Sequence, residues 1–227
     1  KEYQKSFKKN EEAMVALGNV YLLQHNYDQA SAIAQSVIDN KKFNGALAYI
    51  LRGDIAALKD SVGNAGAAAA EYQTAISLDP QNVTAYERYA KVYRHVNAKV
   101  AVAKLEELRK IKPDYPVEAT AAEIMLNDGK YAEALKWYNM ANPANMSEDN
   151  FYNYGFAAYI TKDYSKALDV AKQGLTKFPG SEYLSRIAMM AAVELKDYAQ
   201  AVNFANAVFA GKGKKVSNDY DMYAKAL

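Results

Sequence analysis

The sequence predicts an all-α chain in which antiparallel helix pairs stack into a solenoid. Three observations lead there. The 227 residues include only 5 Pro and 11 Gly, so few positions interrupt a helix. A short phrase recurs at one period: TKDYSKAL at 161–168 returns 34 residues later as LKDYAQAV at 195–202. Upstream of the phrase lies a second pattern, large-x-x-large-small-x-x-large, whose spacing puts its large residues on one face of a helix.

The phrase places an Ala at a fixed point. Its relatives HNYDQA at 25–30 and GKYAEAL at 129–135 set that residue at Ala30, Ala134, Ala167 and Ala201, and the segments around Ala68 and Ala101 fill the gap. Six units result, 11–45, 46–82, 83–114, 115–147, 148–181 and 182–215. The first helix of a unit carries the second pattern, as in Met14, Leu17, Gly18 and Tyr21, in Tyr86, Tyr89, Ala90 and Tyr93, and in Phe151, Tyr154, Gly155 and Ala158. The small position is Gly18, Gly53, Ala90, Ala122 and Gly155, with the large Met189 as an exception, and it is expected to let the second helix of the same unit approach closely.

The second helix opens at the phrase itself. Asp163 and Asp197 are placed as N-caps, and Tyr164 and Tyr198 are expected to pack between layers. Pro80, Pro113 and Pro179 stop the units they close. The fourth unit lacks that Pro and carries Pro143 early, and the segment 59–66 has extra residues that predict a longer turn. At 216–227, Tyr220, Tyr223, Ala224 and Leu227 repeat the first-helix spacing, as a cap or the start of a further unit; 1–10 reads as the end of a preceding helix. One helix pair cannot bury its apolar face alone, so the units stack and share a continuous core.

These units resemble tetratricopeptide repeats, 34-residue helix pairs with the pattern W-x2-L-G-x2-Y, A-x3-F, P. The unit at 148–181 matches best, through Phe151, Tyr154, Gly155, Tyr164, Ala167 and Pro179, and Arg52 departs where an apolar residue is usual. The resemblance implies one repeat domain over 1–227, a right-handed superhelix, and a non-catalytic scaffold for protein or peptide partners. It also implies a groove lined by first-helix side chains. On that mapping the groove holds Lys91, Arg94 and His95 in the third unit, Tyr152, Phe156 and Tyr159 in the fifth, and Tyr183, Arg186 and Met190 in the sixth. Such a surface suits an extended peptide or a partner helix, while packing between units is the competing reading of its aromatics. One subset of the family grips a terminal carboxylate with Lys and Asn in its first unit; this chain has Asn19 but Val15 where that Lys would stand, and no later unit restores the set.

Composition narrows the chemistry. The 28 Lys and Arg nearly balance 26 Asp and Glu, so no global basic field marks a dedicated nucleic-acid binder; single-stranded nucleic acid on Lys91, Arg94 and the tyrosines is the rival reading. Absence of Cys excludes disulfides, thiol nucleophiles and thiolate metal sites. The two His, His25 and His95, form neither a metal pair nor part of a Ser-His-Asp set, so no enzyme, metal or cofactor is expected. GKGKK at 211–215 lacks the remaining residues of a phosphate loop and reads as a flexible basic linker. Glu106 and Glu107 beside Lys104 and Arg109 read as a solvated face with helical ion pairs. No apolar run approaches the ~18 residues of a membrane span. Missing Cys, a first residue other than Met and abundant Lys, Asn and Tyr point to a bacterial periplasm or cell envelope. The pattern also suits an interaction module of a larger enzyme or sensor, or a spacer that stacks on its own copies.

Overall fold

Thirteen α-helices alternate with short connections in the computed structural model, which describes residues 10–59 and 65–227; no strand occurs among the described residues. The expectations for residues 1–9 and for the turn at 60–64 lie outside the described residues. The chain divides into two compact units, Lys1–Tyr115 and Pro116–Leu227.

The first unit holds α1 (Glu11–Leu23), α2 (Tyr27–Ile38), α3 (Ala46–Lys59), α4 (Ala65–Leu78), α5 (Val83–Tyr93) and α6 (Ala98–Ile111). Each helix packs on the next, and α1, α3 and α5 also touch in succession, which makes the first helices of the pairs one layer. The second unit repeats this with α7 (Glu118–Asn127), α8 (Tyr131–Met140), α9 (Glu148–Ile160), α10 (Tyr164–Lys177), α11 (Glu182–Glu194), α12 (Tyr198–Ala210) and α13 (Ser217–Ala226). There α7, α9, α11 and α13 form the corresponding layer. Each unit is thus an α-solenoid stack of antiparallel helix pairs.

The recurring phrase encodes a turn. His25, Gly129, Lys162 and Lys196 adopt left-handed backbone with φ of 57, 73, 65 and 61°. In each case the following amide reaches back across the helix end, as Asp163 N does to Ala158 O and Asp197 N to Ala192 O, both at 2.9 Å, which closes a Schellman cap. The next helix starts at once, because Asp163 Oδ1 accepts from Lys166 N and Asp197 Oδ1 from Gln200 N, each at 3.1 Å. One residue therefore ends a helix and its neighbour begins another.

Burial follows the repeat. Ala30, Ala68, Ala101, Ala134, Ala167 and Ala201 are all 0% exposed. The small position of the first helix acts differently from expectation in two of its glycines. A Cβ at Gly53 would overlap the ring of Tyr72 in its own pair's α4, as expected, but one at Gly18 would overlap Leu51 of α3, and one at Gly155 would lie 2.9 Å from Ile187 Cγ2 of α11. Gly18 and Gly155 thus make room chiefly for the next pair's first helix. Met189, at the same position, is large and fully buried in the core of the second unit.

Other local expectations divide. Tyr164 is half-buried against Tyr159, with ring centroids 5.4 Å apart. Tyr198 is 46% exposed instead of lying between layers, because α13 packs on α12 through Phe209, whose ring partners Tyr220 and Tyr223 lie at 4.9 and 5.4 Å, and the start of α12 stays uncovered. Pro143 opens a 3-10 turn, Pro143–Asn145, after the short α8. Lys177 of α10 pins that turn by donating to the carbonyls of Ala144 and Met146 at 2.8 Å.

Candidate functional site

The first unit contains a groove of about 670 Å³ bounded by α1, α3 and α5. One wall is apolar. Leu22 is buried there, while Leu23 and Leu58, near the ends of α1 and α3, stand 82% and 57% exposed. The opposite wall is basic and consists of Arg88, Lys91, Arg94 and His95. Helical geometry builds it: Arg88 and Lys91 share one face of α5, whereas Tyr86 and Ala90 turn into the core, and Arg94 and His95 follow the last turn.

Asp54 of α3 is the carboxylate in this groove. It accepts a hydrogen bond from the Tyr72 hydroxyl at 2.8 Å and lies 3.3 Å from Arg88 Nε. Burial and then the Asp54 charge push the Tyr72 phenol well above the ordinary tyrosine range, so that hydroxyl stays a donor. Arg94 Nε lies 2.9 Å from His95 Nε2, so in this arrangement the ring nitrogen accepts. Lys91 is exposed and makes no ion pair among the described residues.

In the second unit the sequence-derived residues form an aromatic row. Tyr152 stacks on Phe156 at 6.2 Å and 11° and meets Tyr183 edge-on at 5.9 Å, while Phe156 meets Tyr131 edge-on at 6.1 Å. Tyr152, Phe156, Tyr159 and Met190 are only partly buried and pack against the core of this unit, so packing accounts for much of their surface. Tyr183 is 60% exposed. Arg186 lies under Tyr183, 6.0 Å from its ring centroid, but its guanidinium is turned to Asp219.

The structure brings Lys91, Arg94 and His95 to one groove together with Arg88, Leu23 and Leu58, which the sequence reasoning missed. The available signal for Arg88 was its spacing from Thr84 and Lys91, four and three residues, along one stripe of α5. For Leu23 and Leu58 it was an apolar residue at a helix end outside the core pattern. His25, read as a solvated turn residue, is exposed, with Nδ1 3.2 Å from the Tyr27 hydroxyl. Lys104 and Glu107 do pair at 2.7 Å, but Lys104 is buried, with Gln73 Oε1 at 2.9 Å.

The GKGKK segment is held, contrary to the loose linker expected. Gly213 N donates to Glu182 Oε1 at 2.8 Å, and Lys215 Nζ reaches Glu182 Oε2 at 2.9 Å and the carbonyls of Gly211 and Gly213. A Cβ on Gly211 or Gly213 would run into that carboxylate, which explains the glycines. The Gly213 amide and Lys215 hold the Glu182 carboxyl below the usual range. Glu11 and Glu148 brace the start of the following pair in the same way: Glu11 accepts from the amides of Asn44 and Gly45 at 3.1 Å, and Glu148 from the Ser181 hydroxyl at 2.5 Å.

Comparison with known proteins bears on the fold. No family model and no curated protein matches the sequence. Solved structures do match. The C-terminal part of a TPR repeat-containing protein from Cytophaga hutchinsonii superposes with a TM-score of 0.67 at 16% identity over 86% of this chain and 78% of that one. A tetratricopeptide repeat protein from Parabacteroides merdae gives a TM-score of 0.60 at 15% identity over 95% of this chain and 85% of that one. The fold is that of tetratricopeptide-repeat proteins. YrrB, a TPR protein described as having an unusual peptide-binding site, shares the tetratricopeptide fold at a TM-score of 0.60 and 18% identity, over 85% of this chain and 95% of that one. Among the described residues no group of three or more His, Asp or Glu could hold a metal ion, and no helix is long and apolar enough to cross a membrane.

Proposed function

We propose that this chain is a protein-interaction scaffold whose first unit takes up a segment of a protein partner between α1, α3 and α5. The observation that carries this reading is the groove itself. Its about 670 Å³ falls within the ~300–1,000 Å³ range of binding clefts, and Leu23, Leu58 and Lys91 leave apolar and cationic groups uncovered in one place. The likeness to YrrB supports it at the level of fold.

The row from Tyr131 to Tyr183 favours a second contact surface in the other unit, with Tyr183 as its exposed anchor. Pulldown from a lysate of the source organism tests both surfaces with exposed-residue variants that spare the core. Capture lost in Leu23→Asp with Leu58→Asp and retained in Tyr183→Ala assigns the first groove. The reverse assigns the aromatic row. A partner captured equally by all three proteins sinks both assignments.

A further inference from the structure

We infer that the groove of the first unit selects a segment that is both acidic and apolar, with Asp or Glu carboxylates placed against α5 and a large aliphatic or aromatic side chain placed against the ends of α1 and α3. This rests on the groove reading proposed above. Charge comes first. Arg88, Lys91 and Arg94 bring three cations to one wall, and Asp54 is the carboxylate facing them. That carboxylate is already engaged by the Tyr72 hydroxyl and by Arg88, which leaves Lys91 and Arg94 facing the groove without a counter-charge there. A carboxylate-bearing segment supplies what this wall lacks, and a cationic one meets like charge.

The register follows from the other wall. Leu23 and Leu58 extend from the C-terminal ends of α1 and α3; at α1, whose last turn carries no basic residue, the helix dipole disfavours an anion, while Lys59 offsets it at α3. They are exposed beside the buried Val15 and Leu22, so a partner's apolar side chain would cover them and extend the floor already formed. Carboxylates are thereby directed to Lys91 and Arg94 and the apolar group to Leu23 and Leu58. Lys91 is on the last turn of α5 and offsets the partial charge of that helix end.

Selection of a phage-displayed random peptide library on the intact chain tests this, followed by fluorescence-anisotropy titration of the enriched peptides, synthesised with a dye. Expected are peptides in which Asp or Glu flanks Leu, Ile or Phe, bound about tenfold more weakly by Lys91→Glu with Arg94→Glu, and weakened also by raised salt. Leu23→Asp with Leu58→Asp should weaken them similarly, and Tyr183→Ala should not. All five positions are exposed, and circular dichroism verifies that each variant keeps its helices. Enriched peptides without acidic residues, lost in the leucine variant, would overturn the acidic selectivity and leave the groove reading standing. No enrichment, or binding indifferent to both groove variants, would overturn the two together.

Discussion

Arg186 of α11 and Asp219 of α13 hold each other at two points, Nε to Oδ1 at 2.6 Å and Nη2 to Oδ2 at 3.0 Å, with the carboxylate fully excluded from solvent. Asp219 Oδ2 also accepts from Val216 N at 3.0 Å, so the same group caps α13. Asp219→Ala would strand a guanidinium whose side chain is only 17% exposed, and the expected loss is about 3 kcal/mol. The double change Arg186→Met with Asp219→Leu should lose less than the single one, since it leaves no buried charge. Urea unfolding followed by circular dichroism measures both; an Asp219→Ala midpoint equal to wild type would sink the idea.

The same pair sets an acid dependence. Burial raises the Asp219 pKa, but hydrogen bonds from Arg186 and the Val216 amide outweigh it, and the folded value lies below the ordinary one. A carboxylate with a depressed folded pKa contributes in full above its unfolded value of ~3.9 and loses that contribution as pH falls through the folded value. Melting temperatures taken from neutral pH down to about pH 2 should therefore show the advantage of wild type over Asp219→Asn shrinking below about pH 4. A difference that stays constant, or grows on acidification, would refute the assignment.

Legibility in the sequence followed the range of the interaction. The Asp caps and the Pro stops depend on residues within a turn of one another, and the six buried alanines recur with the unit, so spacing alone located them. Arg186 was placed in the groove by the family mapping of first-helix positions; its carboxylate partner comes 33 residues later, in the next first helix. Pairings between stacked units are set by register, and a pattern confined to one unit does not carry them. Leu23 and Leu58 escaped notice because they break the core pattern, which is also what makes them candidates for contact with a partner.

The turn predicts a stabilising change. Lys162 and Lys196 hold left-handed backbone that costs a residue with a Cβ about 1 kcal/mol, and the equivalent Gly129 avoids that cost. Lys162→Gly and Lys196→Gly should each raise stability by roughly 0.5–1 kcal/mol even after the added freedom of the unfolded chain, and Gly129→Ala should lower it by about 1 kcal/mol. Both lysines are exposed, so lost packing does not confuse the reading. Thermal melts of the three variants check it, and destabilisation by either glycine would show that the turn is not strained.

Gly53 and Gly66 stand in one helix pair and should respond to alanine with opposite signs. A Cβ on Gly53 would overlap the Tyr72 ring, which cannot retreat because it is buried and its hydroxyl is committed to Asp54 at 2.8 Å. Overpacking of that kind costs about 1–3 kcal/mol. A Cβ on Gly66, the second residue of α4, meets nothing within 4 Å, and Ala has less unfolded-chain freedom to lose there than Gly, for a gain of roughly 0.4 kcal/mol. Urea midpoints of Gly53→Ala and Gly66→Ala should therefore fall on either side of wild type. Equal midpoints would mean that α3 and α4 are not in van der Waals contact at Gly53. In that case the Tyr72 hydroxyl would not be fixed on Asp54, and that carboxylate would be free to oppose an acidic ligand in the groove.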